Sequence, residues 1–241
     1  MAAKQVLPGL YRIPFNLGPI PYTTGYLIED GDELVLVDTG IPGKAAAIAK
    51  LLASIRRGAG DVKHILITHH HYDHTGNLAE LAERTGATIY VHPLDAPITR
   101  GDAAIPGTSR TGVQAKLIGT VAKRIMPERL PRVEIGHELH DGEDLPIAGG
   151  IVAIHTPGHT AGHTSFLWNK HAGVLFVGDA AGHLGPRLGP PLGAFTEDDA
   201  AMRKSVAKLA GFTFDKAVFG HGSPVKSGAA QQFSRLADRL T

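Results

Sequence analysis

The sequence predicts a single α/β domain, and three observations lead to this expectation. Short apolar runs bounded by Gly, Pro or Asp recur along the chain, and helical patterns lie between several of them. The chain has 241 residues, enough for one large α/β domain with a sizeable core. Its composition, 43% hydrophobic and 20% charged, is globular and excludes a mainly disordered or fibrous chain. We therefore expect one domain over residues 1–241.

The apolar runs predict eight strands and the helical patterns predict five helices. Apolar Ile48, Leu51 and Ile55 fall on one face of the first helix, as expected for a helix that packs on a sheet. The order of the first half repeats loosely in the second, which suits two sheets covered by helices. The predicted strands are 26–28, 34–37, 64–67, 89–91, 151–154, 164–168, 174–177 and 217–219, and the predicted helices are 45–56, 77–84, 113–125, 198–209 and 229–240.

Two segments depart from this regular pattern. Residues 96–132 hold seven basic and two acidic residues, a net charge of +5 where the whole chain has +1. Such a segment forms either a solvated helix face or a cap over an anionic substrate, and we expect a basic cap-like insertion here. Residues 182–195 are too rich in Gly and Pro for regular structure and predict a long loop. The basic residues of the first segment are Arg100, Arg110, Lys116, Lys123, Arg124, Arg129 and Arg132.

Composition also excludes several functions. There is no cysteine, so disulfides, thiolate metal sites, iron-sulfur clusters and cysteine nucleophiles are excluded. A net charge of +1 gives no strong attraction to nucleic acid or to anionic membranes. No apolar run is long enough for a membrane helix and the first residues lack a signal-peptide core, so we expect a cytoplasmic protein.

The 14 histidines include a cluster that suggests metal binding. Residues 68–77 read THHHYDHTGN between a predicted buried strand and a predicted helix. In an extended segment His69 and His71 project to the same side, and a turn brings Asp73 and His74 round to another. Imidazole and carboxylate ligands suit Zn²⁺, and also Fe or Mn. The alternative is a histidine-rich surface loop without a metal.

Three further candidates lie at similar junctions between a strand and a loop. His159, Asp179 and His221 each follow an apolar run and lie beside a glycine. Strand ends that converge on one rim of a sheet would bring these side chains to the cluster at 69–74. Three ligands in each of two sets, with one shared carboxylate, fit two cations.

Taken together, these motifs resemble the metallo-β-lactamase fold hydrolase superfamily. The matching segments are HxHxDH at 69–74, PGH at 157–159, GD at 178–179, GHG at 220–222, LVDTG at 36–40 and TAGH at 160–163. The resemblance implies a four-layer αββα sandwich of two mixed β-sheets flanked by helices. It also implies two divalent metal ions at one edge of the two sheets, with Zn²⁺ as the expected metal and Fe or Mn as alternatives.

The resemblance further implies a role for each candidate residue. Asp38 would support the ligand loop without touching the metals. Asp73 would in addition be catalytic, accepting a proton from the bridging water and passing it to the leaving group. The implied ligands are His69, His71 and His159 for the first metal, Asp73, His74 and His221 for the second, and Asp179 as the bridge.

The implied activity is that of a binuclear hydrolase whose metal-bridging hydroxide attacks an ester, lactone or thioester carbonyl. With Asp179 as the bridge and no cysteine for the second site, the chain resembles the glyoxalase II and lactonase branch more than a dedicated β-lactamase. Lactonases of this family carry a tyrosine where this chain has Gly182, so lactonase action here would lack that oxyanion donor. Two alternatives stay open, a mononuclear iron oxygenase similar to persulfide dioxygenases and a phosphodiesterase or nuclease.

We expect the partner to be a small-molecule substrate, anionic if the basic segment reaches it, with neither nucleic acid nor membrane as a partner. The oligomeric state is open, and a homodimer is one option. Among the remaining histidines, we expect His70 to point away from the metals and to be exposed or structural. His163 either orients a ligand or is structural, and the role of His183 is open.

Overall fold

The computed structural model describes residues 4–18, 20–106, 127–191 and 195–241. Within them, two mixed β-sheets pack face to face and helices cover both outer surfaces. The four-layer αββα sandwich implied by the sequence motifs is therefore confirmed.

The first sheet has seven strands in the described part of the chain, and they follow one another in sequence order. The first four form an antiparallel meander, and the last four are parallel neighbours. The strands are β1 (Lys4–Leu7), β2 (Leu10–Leu17), β3 (Ile20–Asp30), β4 (Glu33–Val37), β5 (Val62–Leu66), β6 (Thr88–Val91) and β7 (His137–Glu138).

The second sheet has five strands among the described residues, in the order β12-β11-β10-β9-β8. All neighbours are antiparallel except β11 and β12, which run parallel. The strands are β8 (Glu143–Leu145), β9 (Ile151–His155), β10 (Thr164–Trp168), β11 (Val174–Phe176) and β12 (Lys216–Val218).

Helices flank both sheets. The first four of the described helices belong to the side of the first sheet and the site, and the last two cover the second sheet. Asp198 caps the fifth helix by accepting hydrogen bonds from the backbone N–H groups of Ala200 and Ala201, 2.9 Å each. The helices are α1 (Ala45–Ser54), α2 (Tyr72–Thr75), α3 (Leu78–Thr85), α4 (Ala96–Thr99), α5 (Asp199–Ala210) and α6 (Ala229–Leu240).

Strand β4 shows how the sequence builds the layers. Its alternate residues Val35 and Val37 face the second sheet, where they join the buried cluster that contains Trp168. Leu34 and Leu36 face the other way and pack in a cluster with α1 and α3. Because both faces of the strand are buried, it reads as a continuous apolar run rather than an alternating one.

Most sequence-predicted elements are present with bounds shifted by one to three residues, and β10 and α6 have the predicted bounds. The prediction for β3 was too short, and β1 and β2 were not predicted individually, because polar side chains interrupt their apolar pattern. The helix predicted over 113–125 lies outside the described residues. Residues 182–191, the first described part of the 182–195 segment, form isolated β-bridges but no helix or extended strand, as predicted. The single domain over 1–241 stays a prediction.

Five strands direct their carboxyl ends toward one edge of the sandwich. Polar loops follow β4 and β5 in the first sheet and β9, β11 and β12 in the second, and these loops carry all the predicted site residues. No helix among the residues described here is long and apolar enough to cross a membrane.

Candidate metal centre

The loop after β5 presents four of the candidate ligands. The chain is extended at His71, whose φ and ψ are −61° and 144°, and then enters the single turn of α2. His69 and His71 therefore project from the extended part, and the turn carries Asp73 and His74. This is the local geometry that the spacing predicts.

His69, His71 and His159 form a first group of three imidazoles. His71 Nδ1 lies 3.1 Å from His69 Nε2 and 3.0 Å from His159 Nε2. Burial, followed by repulsion from the neighbouring imidazoles, holds the pKa values of His69 and His71 well below the usual range. Neutral rings keep a free lone pair on the facing nitrogen, which is what a metal ligand requires.

Asp73, His74 and His221 form a second group. His221 Nε2 lies 3.3 Å from Asp73 Oδ2, and His74 Nε2 lies 3.7 Å from the same oxygen. The carboxylate of Asp179 lies between the two groups, because its Oδ2 is 3.3 Å from His159 Nε2 and 3.3 Å from His221 Nε2. Each set of ligand atoms is close enough to surround one metal ion.

The charge of the second group differs from that of the first. Burial lowers the pKa of His74, but the carboxylates of Asp73, Asp179 and Asp38 outweigh burial and raise it to about 9. Burial likewise opposes protonation of His221, and Asp179 and Asp73 raise its pKa to about 11. Without a metal, the surrounding carboxylates keep these two imidazoles protonated. The same negative charge favours a metal cation in place of the two protons.

Hydrogen bonds to the far ring nitrogens orient three of the imidazoles. The hydroxyl of Thr68 donates to Asp38 Oδ2 at 2.8 Å, so Nδ1 of His69 must be the donor in its 2.9 Å contact with that hydroxyl. His74 Nδ1 donates to the same Asp38 oxygen at 2.8 Å. His221 Nδ1 donates to the Tyr22 carbonyl at 2.6 Å. Nε2 of each ring is therefore directed at the cluster.

Asp38 makes the contacts expected of a residue that supports the ligand loop. Its carboxylate also accepts the backbone N–H of Thr68 at 2.9 Å. Its φ of 59° is uncommon for a residue other than glycine and marks a backbone held by its surroundings. The backbone of Asp38 thus keeps an unfavourable conformation in which its carboxylate reaches Thr68 and His74.

A second network fixes Asp179. The backbone N–H of Asp179 donates to His163 Nε2 at 2.9 Å, so the proton of this imidazole is on Nδ1, which contacts Thr156 Oγ1 at 2.8 Å. Burial lowers the pKa of His163 to about 3, consistent with a neutral ring. His163 thus orients the segment that carries the shared carboxylate, one of the two roles left open by the sequence.

The donor set fits divalent metal ions. His74 Nε2 and Asp179 Oδ1 are buried and have no hydrogen-bond partner among the residues described. Buried polar atoms without partners are costly, and here both belong to groups of converging ligand atoms. Nitrogen and oxygen ligands in such groups suit Zn²⁺ and also Fe or Mn.

Two aromatic side chains lie beside the ligand imidazoles. The ring of Tyr22 meets the edge of His221 at a centroid distance of 5.6 Å, and Phe195 meets His71 at 6.1 Å. Asp73, with 22% of its side chain exposed, is the most exposed of the three carboxylates around the groups. One aromatic ring therefore lies next to an imidazole of each group.

The structure corrects one expectation and shows the contacts of two residues whose roles were open. His70 is buried and contacts Asp95, so its exposed alternative is wrong and its structural alternative holds. Arg100 pairs with Glu138 at 3.0 Å. His183 contacts the carbonyl of Ser223 through Nδ1 at 2.7 Å. Arg110, Lys116, Lys123 and Arg124 lie outside the described residues, so the cap over the site stays a prediction.

Sequence reasoning missed residues that contact the ligands from elsewhere in the chain. Thr68 and Tyr22 orient ligand imidazoles, and Asp95 contacts the loops that carry them. Asp95 follows β6, and the rule that polar residues after a strand point to one edge of the sheet could have found it. Nothing in the sequence marks Tyr22, whose contribution to His221 is a backbone carbonyl.

The chain is similar in sequence to known proteins that are named as hydrolases. The probable metallo-hydrolase YflN of Bacillus subtilis is 31% identical over 238 residues, covering 89% of this chain and 85% of the relative. A hydroxyacylglutathione hydrolase of Halorhodospira halophila is 31% identical over 211 residues, covering 83% of this chain and 63% of the relative. These relatives support a metal-dependent hydrolase.

Solved structures agree on the fold. A metallo-beta-lactamase family protein of Thermus thermophilus has a TM-score of 0.71 at 27% identity and covers 98% of this chain and 80% of its own. The MIM-2 metallo-beta-lactamase has a TM-score of 0.73 at 22% identity, covers 99% and 88%, and shows the fold alone. The model of the metallo-beta-lactamase superfamily matches residues 20–221, and the chain belongs to this superfamily.

Proposed function

We propose that the protein is a binuclear metal-dependent hydrolase of an ester, lactone or thioester bond. One observation carries the proposal, namely that all seven candidate ligands converge in groups that meet at Asp179. Divalent ions bound there lower the pKa of water toward neutrality and polarise a carbonyl oxygen, which is the chemistry of hydrolysis. Zinc is the first choice of metal for this set of ligands.

The residues that would hold the two ions differ in what they contribute. The three neutral imidazoles of His69, His71 and His159 would bring no negative charge to one ion, which leaves Asp179 as the anionic residue near it. Asp73 and Asp179 bring negative charge to the other ion. Asp179 is common to both sites because its Oδ2 contacts one imidazole of each group.

Asp73 is the proposed catalytic group. In the metal-free protein the charges of His74 and His221 outweigh burial and lower the pKa of Asp73 to about 2, so this carboxylate is ionised at neutral pH. Its side chain is 22% exposed, so solvent can reach it. With a metal in place of the imidazole protons, the ionised carboxylate would accept a proton at one of its oxygens and pass it to the leaving group.

Support for the type of bond comes from one relative and from the walls of the site. The name of the Halorhodospira halophila relative states hydrolysis of a hydroxyacylglutathione, which is a thioester. Tyr22 and Phe195 border the site with aromatic rings and suit the apolar part of a small acyl substrate. We therefore place thioesters first and lactones second.

The test is a hydrolysis panel on protein of measured metal content. We expect close to two ions per chain, hydrolysis of activated thioesters or lactones, and a loss of at least about 100-fold in Asp179→Ala. Asp61→Ala, which removes a half-buried carboxylate that directly precedes β5 and belongs to neither group, is the matched control and should leave the activity unchanged. Full activity after removal of the metals would refute the proposal. So would a preference for phosphodiesters, or one iron per chain with oxygen uptake.

A further inference from the structure

Asp95 is a buried carboxylate that belongs to neither group of metal ligands. It lies between β6 and α4 and is 1% exposed. Its Oδ2 accepts the backbone N–H of His70 at 2.9 Å and the hydroxyl of Thr160 at 2.7 Å. Its Oδ1 accepts the backbone N–H of Gly162 at 2.7 Å. The carboxylate is thus held by donors from two separate loops.

The charge of Asp95 depends on these donors. Among the residues described, its Oδ2 also lies 3.0 Å from Nδ1 of the His70 imidazole, and neither lysine nor arginine pairs with it. A buried carboxylate is tolerated only when hydrogen bonds satisfy it. The donors must therefore stay in place, because moving either loop removes part of the hydrogen bonding that the buried charge needs.

The two loops joined by Asp95 supply the whole first group of imidazoles. His70 stands between the ligands His69 and His71, and Thr160 directly follows the ligand His159. By contrast, the Asp38 carboxylate accepts hydrogen bonds, within the described part of the chain, from the loop after β5 alone, through Thr68 and His74. Asp95 is thus the buried carboxylate that spans the gap across which His71 and His159 face each other at 3.0 Å.

Close packing at Gly162 provides independent evidence that this junction is tight. A Cβ atom built on Gly162 would lie 2.6 Å from the backbone nitrogen of Asp95 and 2.6 Å from its Oδ1. Any side chain at residue 162 would push the loop after β9 away from Asp95, so only glycine permits the observed approach. Asp95 is therefore packed tightly against the loop that carries His159.

We propose that Asp95 is a positioning residue for the three-imidazole metal site. It does not bind the ion, and it holds the loop of His69 and His71 against the loop of His159 so that the three nitrogens converge. The inference rests on the proposed function, since it assumes that a metal occupies this group. Asp95 acts on the first site and not on the second, which distinguishes it from Asp38.

The test compares zinc affinity of the two sites in separate backgrounds. His221→Ala leaves the first group intact, and His71→Ala leaves the second. Asp95→Asn, which keeps the shape but loses the charge, is added to each, and zinc dissociation constants are measured by competition with a chromophoric chelator. We expect about 10- to 100-fold weaker binding in the first background and less than a twofold change in the second.

Two further variants keep the outcome decisive. Thr160→Val removes one hydrogen bond to Asp95 and should weaken the first site by about 3- to 10-fold. Asp215→Asn is the control. Asp215 directly precedes β12, at the end of the strand away from the site, and its carboxylate accepts the backbone N–H of Gly228. This substitution should change neither affinity. If Asp95→Asn does not fold, Thr160→Val decides.

Each result points to one conclusion. Unchanged affinity in Asp95→Asn or Thr160→Val, with tight zinc binding in the parent, overturns the role of Asp95 alone. Equal weakening of both sites also overturns it, because a merely structural role would act on both. Failure of the unmodified protein to bind zinc overturns the proposed metal centre itself.

Discussion

Metal uptake by the second group should displace protons from its imidazoles, while uptake by the first group should displace none from its imidazoles. In the metal-free protein nearby carboxylates raise the pKa of His74 to about 9 and that of His221 to about 11, against the effect of burial. Both imidazoles are thus protonated at pH 7. The first group is already neutral there, because burial and mutual repulsion lower the pKa values of His69 and His71.

The size of the effect follows from these values. A pKa two units above the solution pH corresponds to about 99% protonation, so a metal ion at the second group displaces about two protons. Removing the proton of His74 at pH 7 costs about 3 kcal/mol, which weakens binding about 100-fold. Because protons compete with the metal, affinity of the second site should rise by about 10- to 100-fold for each pH unit between 7 and 9.

Calorimetric titration of metal-free protein with zinc, in two buffers of different ionisation enthalpy, counts the protons released. The imidazoles of the unmodified protein should release about two protons, to which ionisation of metal-bound water adds at most one, whereas the single ion bound by His221→Ala should release at most that last proton. Zinc uptake without proton release, or a second site that weakens as the pH rises, would refute this account of the charge in the site.

Three more predictions follow from particular contacts. Asp38→Asn should weaken metal binding about 10- to 100-fold in a chelator competition, and an unchanged affinity would contradict its supporting role. Gly220→Ala should cost the protein one ion, counted by elemental analysis, because the added methyl overlaps Oδ1 of Asp179, whereas Gly185→Ala, with nothing nearby, should retain both. His92 has a pKa lowered to about 4, chiefly by burial and then by a neighbouring imidazole, so the unfolded chain takes up its proton first as the pH falls below about 6.5. The wild type should therefore lose about 1 kcal/mol more unfolding free energy between pH 7.5 and 5 than His92→Gln, since solvent screens part of the shift; equal losses in urea titrations would exclude this.

The fold was predictable from local pattern because the buried strands and amphipathic helices have strong periodic signals. Strand β10 and helix α6 begin and end where their apolar residues predict. Strand β2 was missed because Tyr11, Arg12 and Asn16 interrupt its apolar residues, although Arg12 is used to contact the carbonyl of Gly222 beside the site. Tertiary contacts, not local propensity, make that residue part of a strand.

By itself, the sequence determined which residues can bind metal. Their types are set by chemistry, and their positions after strands are set by the alternation of apolar runs, so His69, His71 and Asp179 could be selected without coordinates. The absence of cysteine limited the ligands to nitrogen and oxygen. These properties are local and are carried by residue type and spacing.

Only the tertiary structure decided how the ligands are oriented and held. Which nitrogen of His74 and His221 faces the ligand cluster depends on acceptors far away in the sequence, namely Asp38 for His74 and the carbonyl of Tyr22, 199 positions from His221. The role of Asp95 also depends on two loops that meet only after both sheets have packed. A hydrogen bond is set by distance and direction in space, and residue spacing along the chain specifies neither for partners so far apart.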